Sequence, residues 1–494
     1  MDVLIDPTSM DSYSTFLKIK QLPTYKVTGH IASFPDEYAD QIGVSKAKKT
    51  FRNWDPSDFL FDYQNGIAKL AIEKRKFAAF VDCGYGKTLI FLEFAQAASQ
   101  MLKRKRTLIV SPLMVIPQTV SECQRFYGFE PEVIKAADLD LWLQGDGGGI
   151  GITNYEAMRD DIRQGNLGAL ILDESSMLKS AYGKWGQTIL RLGSGLEWKL
   201  ACTGTPAPND RIEYANHAVF LDHFQNVNSF LATYFVNKGQ TQERWVMKPH
   251  ALGPFYRSLS HWGFFLSDPS VYGWKDNAGT LPPINVHMHD VALTDEQKAV
   301  IGTETGELFA TKMGGITSRS VMGQIAKGNF RGKDIATNKP AFIRELVESW
   351  PDESTIVWCI YNREQEILER EMPDAASISG KTTQAERQRL IDGFKSGEIK
   401  TLISKAKLLG FGLNLQVATR QVFSGLQDSY EDYYQCVKRS NRVGSTKPLN
   451  VHIPITDVEY PMVENVLRKA NRVNEDTQVQ QRIFAESMKG GAKN

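Results

Sequence analysis

Seven residues constrain this chain more than any others: Asp82-Cys-Gly-Tyr-Gly-Lys-Thr88. An apolar run, Phe77 to Val81, precedes them and reads as a buried strand. Leu89-Ile-Phe-Leu-Glu-Phe follows and reads as the first turns of a helix. A strand, a glycine turn and a helix in that order suit a phosphate group. Gly84 and Gly86 let the backbone turn its amides toward anionic oxygens, and the helix N-terminus adds positive potential. Lys87 is placed to reach the β- and γ-phosphates of a nucleotide, and the Thr88 hydroxyl to ligate magnesium. Val81 stands where longer phosphate-loop patterns carry their first glycine. The alternative is a plain glycine turn capping an ordinary helix.

A second signal argues against that alternative. Ala169-Leu-Ile-Leu172 is a short apolar run of the kind expected for a central parallel strand, and it ends in Asp173 and Glu174. Open α/β sheets place their ligands at the carboxyl ends of strands. Asp173 is expected to hold magnesium through its water shell, and Glu174 to polarise an attacking water. Two acids after an apolar run are common; paired with an upstream lysine loop they become specific.

The strand signals recur. Phe77–Val81, Thr107–Val110, Gly149–Thr153, Leu170–Leu172 and Lys199–Thr203 alternate with helix-like stretches. A second series runs through Thr355–Cys359, Ala376–Ile378, Lys400–Ile403, Gln421–Phe423 and Asn450–Ile453. Such alternation predicts two parallel-sheet lobes flanked by helices. The long span between them, rich in aromatics and helix formers, is far too long for a linker and predicts a mainly helical insertion. The expected division is an N-terminal extension (1–45), lobe 1 (46–215), the insertion (216–337), lobe 2 (338–470) and a frayed polar tail (471–494).

Composition excludes several function classes. The 58 basic and 57 acidic residues give a net charge of +1, so no bulk field draws in nucleic acid, and any such contact must come from locally arranged groups. Five scattered cysteines show no zinc spacing and fit free thiols in a reducing cytosol. No run approaches membrane-spanning length, and the opening residues lack a basic, apolar leader, so a soluble cytoplasmic protein is expected.

With Thr203-Gly-Thr-Pro206, the lysine loop and the acid pair resemble motifs I, II and III of superfamily 2 helicases. Gly410-Phe-Gly-Leu-Asn-Leu415 resembles motif V, and Gln435, Arg439, Arg442 and Gly444 match motif VI of the Swi/Snf-like branch. Leu60-Phe-Asp-Tyr-Gln64 looks like its adenine-reading segment, Ser111-Pro-Leu like motif Ia, and Thr355–Ile360 with Gly380 like motifs IV and IVa. The resemblance runs from about Leu60 to about Leu467. It departs in reading Asp-Glu-Ser-Ser in motif II, which removes the usual histidine there, and this compact form looks like phage-encoded members.

The resemblance implies two tandem RecA-like lobes, ATP and magnesium as cofactors, and DNA as partner, duplex in the first instance, with a monomer as the simplest state. Tyr63, Gln64, Gly84, Gly86, Lys87, Thr88, Gly412 and Gln435 would bind the nucleotide, with magnesium on Thr88 and Asp173. Arg439 and Arg442 would act as fingers from lobe 2. Ser111, Thr153, Asn154, Tyr155, Gly380 and Asn414 would touch DNA. The implied function is an ATP-dependent DNA translocase; a strand-separating helicase and a slow, nucleic-acid-gated scaffold are the rivals.

Four features stay open. Gln435, Arg439 and Arg442 form one stripe if helical, either finger residues or a solvated basic face. The basic segment Lys312 to Lys333, with Arg319, Lys327 and Arg331, suits a loop touching phosphate, and Lys103-Arg-Lys-Arg106 a basic surface turn. His287 and His289 share a strand face, and an alternating strand explains them without a metal.

Overall fold

Ten apolar runs become ten parallel strands, and two further strands join them from the span read as insertion. The computed structural model describes all residues except 23, 36–37, 45–53, 179–183, 240–243, 276–280, 311–315, 410–412, 427–428, 443 and 491–494. It divides into one unit of residues 1–277 with 475–494 and a second of residues 278–474.

The first unit opens with a small antiparallel sheet, β1 (Asp2–Leu4), β2 (Lys26–Thr28) and β3 (Ile31–Ser33), in the order β1-β3-β2. It closes with the helix Met10–Ile19 over a private core of Ile19, Ala32, Phe34 and Tyr38. The expected extension is therefore a folded module. The main sheet comprises β4 (Lys76–Val81), β5 (Arg106–Ser111), β6 (Glu132–Val133), β7 (Gly149–Asn154), β8 (Leu167–Asp173) and β9 (Trp198–Thr203). After the hairpin β10 (Phe235–Asn237) and β11 (Trp245–Met247) comes β12 (Gly263–Leu266), which pairs with β4. The order is β12-β4-β9-β8-β5-β7-β6, parallel throughout. Every residue of β8 and β9 is buried, as a sheet covered on both faces requires. The helix Lys87–Leu102 packs across β5, β8 and β9.

Part of the expected insertion thus belongs to this unit. Phe224, Phe230, Tyr234 and Phe255 interlock edge-to-face, and Tyr214 joins them through Phe255. Periodicity could not distinguish the short run of β12 from a buried helix segment. The polar tail is corrected too. Its residues continue the helix Tyr460–Gly490, where Phe484 packs edge-on to Phe264 at 4.6 Å. Asp476 accepts from Arg211 at 2.5 and 2.9 Å and from the Tyr256 hydroxyl at 2.8 Å. Gln480 donates to the Tyr214 hydroxyl at 3.2 Å.

The second unit holds β13 (Ile284–Asp290), the hairpin β14 (Asn329–Phe330) and β15 (Lys333–Asp334), then β16 (Thr355–Cys359), β17 (Ala376–Ile378), β18 (Thr401–Lys405), β19 (Arg420–Phe423) and β20 (Leu449–Ile455). Its sheet runs β13-β20-β19-β16-β18-β17, again parallel. The histidine pair lies on the edge strand β13, which is exposed along nearly its whole length, and among the described residues no group of three or more histidine, cysteine or acidic side chains could hold a metal ion.

Lys327, read as a phosphate contact, is instead one of the least exposed cations. Its ammonium lies 2.5 Å from Glu459, whose other oxygen pairs with Lys339 at 2.5 Å, all three buried. Burial disfavours the Glu459 charge, but the two lysines hold its carboxyl down to about 2. A Cβ at Gly425 would come within 2.4 Å of the Lys327 ammonium and 2.6 Å of the Glu459 carboxylate, so a larger residue there would have to displace this buried pair. Among the described residues no helix is long and apolar enough to cross a membrane.

Candidate active site

Adjacent strands of the first sheet bring the site together at their carboxyl ends. β4 runs into the glycine loop; Gly84 (φ 96°) and Gly86 (φ 73°) take the left-handed conformation that only glycine adopts without cost. Gly86 also caps the helix carrying Lys87 and Thr88. Burial opposes the Lys87 charge, but Cys83, Glu174, Asp173 and Asp82 outweigh it and hold the ammonium above its ordinary range. Cys83 Sγ lies 3.9 Å from the Lys87 nitrogen.

β8 delivers the two acids. Asp173 accepts from the Ser111 hydroxyl, at the end of β5, at 2.8 Å. Burial and the neighbouring Glu174 push its carboxyl up to about 6, against the pull of Lys87 and the Ser111 hydrogen bond. Glu174 sits at φ 52°, an uncommon conformation for a residue with a side chain. Thr203, at the end of β9, donates to its carboxylate at 3.1 Å, and the Thr205 amide donates in turn to the Thr203 hydroxyl at 3.1 Å. The Tyr155 hydroxyl donates to the Asp173 carbonyl at 2.7 Å. Ser175 meets His217 Nε2 at 3.0 Å, an imidazole from the helix Tyr214–Phe220 that no local pattern announces.

The donor set fits magnesium. Thr88 and Asp173 offer oxygen only, the donor type that magnesium takes. Magnesium in such sites takes one or two carboxylates and completes its shell with water and phosphate, so no dense acidic cluster is needed.

Several expected roles are corrected. Gln64 is buried, and both ends of its amide are taken: it accepts from the Phe61 amide at 3.0 Å and donates to the Tyr85 carbonyl at 3.1 Å. It braces the phosphate loop rather than facing a base. Tyr63 is buried edge-on against Tyr85 at 5.8 Å, so it too sits behind the loop. Ser111, Thr153 and Tyr155 do not present their side chains to DNA. All three are buried, and Thr153 donates to the Ile134 carbonyl at 2.8 Å. Asn154 is half-buried and caps the short turn after β7 through the Ala157 amide.

In the second unit Gly380 and Asn414 are exposed, whereas Gly412 lies outside the described residues. The motif VI stripe is not one helical face. The helix Tyr430–Ser440 ends before Arg442. Arg439 is buried and donates to Gln435 at 2.8 Å, while Arg442 is half-buried. A cavity of about 110 Å³ opens beside this helix, between Trp358, Lys405, Phe423, Leu426 and Asp432.

Comparison with known proteins places these features in company. The profile of the family described as SNF2-related domain matches residues 80–338, and that of the helicase conserved C-terminal domain matches residues 338–444. The chain is 23% identical over 363 residues to a SWI/SNF-related matrix-associated actin-dependent regulator of chromatin subfamily A-like protein 1 of Drosophila melanogaster, spanning 68% of this chain and 45% of that protein. It is 29% identical over 157 residues to the ATP-dependent helicase fft1 of Schizosaccharomyces pombe, spanning 29% and 16% respectively. The matches thus cover less than half of either relative. The Sulfolobus solfataricus SWI2/SNF2 ATPase core in complex with dsDNA aligns over 87% of this chain and 97% of that one, at 18% identity and a TM-score of 0.41.

Proposed function

The chain belongs to the SNF2-related family, and on that premise we propose that it is a DNA-stimulated ATPase that couples hydrolysis to movement along duplex DNA. One observation carries the reading: the Glu174 carboxylate is held by Thr203 within electrostatic reach of the Lys87 ammonium, so an acceptor for a water proton and a cation for phosphate lie at one site. Lys87 and the loop amides grip the β- and γ-phosphates, and Glu174 orients the attacking water. Thr88 and Asp173 would hold magnesium, which would supply neutralisation of the phosphate charge. Arg442, exposed enough to meet a ligand, is the finger of the second unit, and Asn154, Gly380 and Asn414 are the remaining DNA contacts.

The test is ATP turnover with duplex DNA, single-stranded DNA and RNA, followed by triplex displacement beside strand displacement. Duplex DNA should stimulate most, and a triplex strand should be displaced without duplex unwinding. Lys87→Ala should abolish turnover and weaken ATP binding; Glu174→Gln should abolish turnover and keep binding. Retained steady-state hydrolysis in either variant would refute the site assignment.

A further inference from the structure

The Asp-Glu-Ser-Ser sequence lacks an imidazole beside the two acids, yet the fold supplies one from 43 residues beyond Glu174. His217 is buried on the helix Tyr214–Phe220. Its Nε2 lies 3.0 Å from the Ser175 hydroxyl, and its ring stands edge-on to Phe80 of β4 at 5.3 Å. Burial pushes the imidazole down to about 4, so it is neutral and carries one donor and one acceptor. A serine hydroxyl can serve either tautomer.

What this bond does follows from the backbone next to it. Glu174 occupies the left-handed region, a conformation that persists only where neighbours over-determine it. Tyr155 ties the Asp173 carbonyl on one side of Glu174, and Thr203 ties its carboxylate. The residue on the other side is Ser175, and its side chain is tied to His217. An apolar side chain could fill the same space, whereas burying an imidazole is costly unless it is hydrogen-bonded.

We propose that His217 is a positioning residue for hydrolysis, acting through Ser175 to hold the Asp173–Ser175 turn in the conformation that aims the Glu174 carboxylate. The inference rests on the ATPase reading above, and it assigns to a distant helix the place left vacant in the acid motif.

Three variants test it: His217→Phe keeps the ring and drops its nitrogens, His217→Gln returns a polar atom near Nε2, and Ser175→Ala removes the partner. Turnover, KM for ATP, nucleotide binding and melting temperature are measured for each and for the double variant. His217→Phe and Ser175→Ala should each lower kcat by about tenfold, as a displaced catalytic group does, with ATP affinity unchanged within about twofold. The double variant should be no worse than either single one, and His217→Gln should recover most of the rate. If His217→Phe does not fold, Ser175→Ala carries the same expectation. Wild-type kcat in His217→Phe or in Ser175→Ala, losses that multiply in the double variant, or ATP affinity falling in step with turnover would each overturn the positioning role. A wild-type protein that does not hydrolyse ATP would instead overturn the ATPase reading, and this inference with it.

Discussion

Gln64 commits both ends of its amide to backbone, one to the Phe61 amide and one to the Tyr85 carbonyl inside the phosphate loop. A Cβ on Gly86 would collide with the same side chain, so loop and brace are fitted to each other. Gln64→Ala should therefore leave buried backbone groups without their partner and cost about 1–3 kcal/mol of stability. It should weaken ATP and GTP binding to the same degree; titrating both nucleotides checks this, and a selective loss of ATP would show that the amide reads adenine after all. The two arginines separate in the same way. Arg439 is buried on Gln435, so Arg439→Ala should lower the melting temperature along with turnover. Arg442 is half-buried beyond the helix end. Arg442→Ala should leave melting unchanged and reduce DNA-stimulated turnover by roughly a thousandfold, the scale of a lost arginine finger. Residue types and spacings made both arginines visible in the sequence. Their burial was not visible, because it depends on what packs around the helix.

At the scale of elements, β13 and β20 align three imidazoles. His287 and His289 stack on His452 with ring centroids 4.7 and 5.3 Å apart, and Trp350 covers His452 from another side at 4.6 Å. Arg420 lies 3.3 Å from His452 Nε2 and pairs with Glu353 at 3.3 Å. Burial, then the two other histidines and Arg420, hold His452 down to about 4 from an ordinary 6.5, and burial lowers His289 as well. The unfolded chain thus binds more protons between about pH 6.5 and 4, so stability is full above that window and falls as pH drops through it. The urea midpoint of the second unit should decline between pH 7 and 4.5, and His452→Gln should flatten that decline. An equally steep decline in the variant would mean that the histidine stack is not the sensor. Only the shared strand face of His287 and His289 was legible; that the strand is an edge, exposed along nearly its whole length, was not. Nor was its partner, because β20 lies more than 150 residues away in sequence.

The whole molecule shows the same division on a larger scale. The helix Tyr460–Gly490 places Met462, Val463 and Val466 in the core of the second unit, and beyond residue 474 it belongs to the first. There Asp476, Gln480 and Phe484 dock on Arg211, Tyr214 and Phe264. Ending the chain at Asn474 should therefore destabilise the first unit, although the cut is nearly 400 residues from its glycine loop. Calorimetry of the truncated chain should show the transition of the first unit moved down by several degrees, with ATP binding weakened; an unchanged transition would show that the segment is dispensable.

By itself the sequence determined the two alternations of strand and helix, the phosphate loop and the acid pair, because hydrophobic period and glycine placement are local properties of the chain. Thr355–Cys359 and Ala376–Ile378 were delimited to the residue. Only the tertiary structure decided which polar groups face a ligand and which face the protein. Gln64, Ser111, Tyr155, Lys327 and Arg439 all carry chemistry suited to a substrate, and all are turned inward onto protein partners. His217 is the converse case: its partner Ser175 is fixed by the packing of a helix, a contact that no periodicity records. A buried polar group must find a partner wherever the fold puts one, and that partner is chosen by proximity in space.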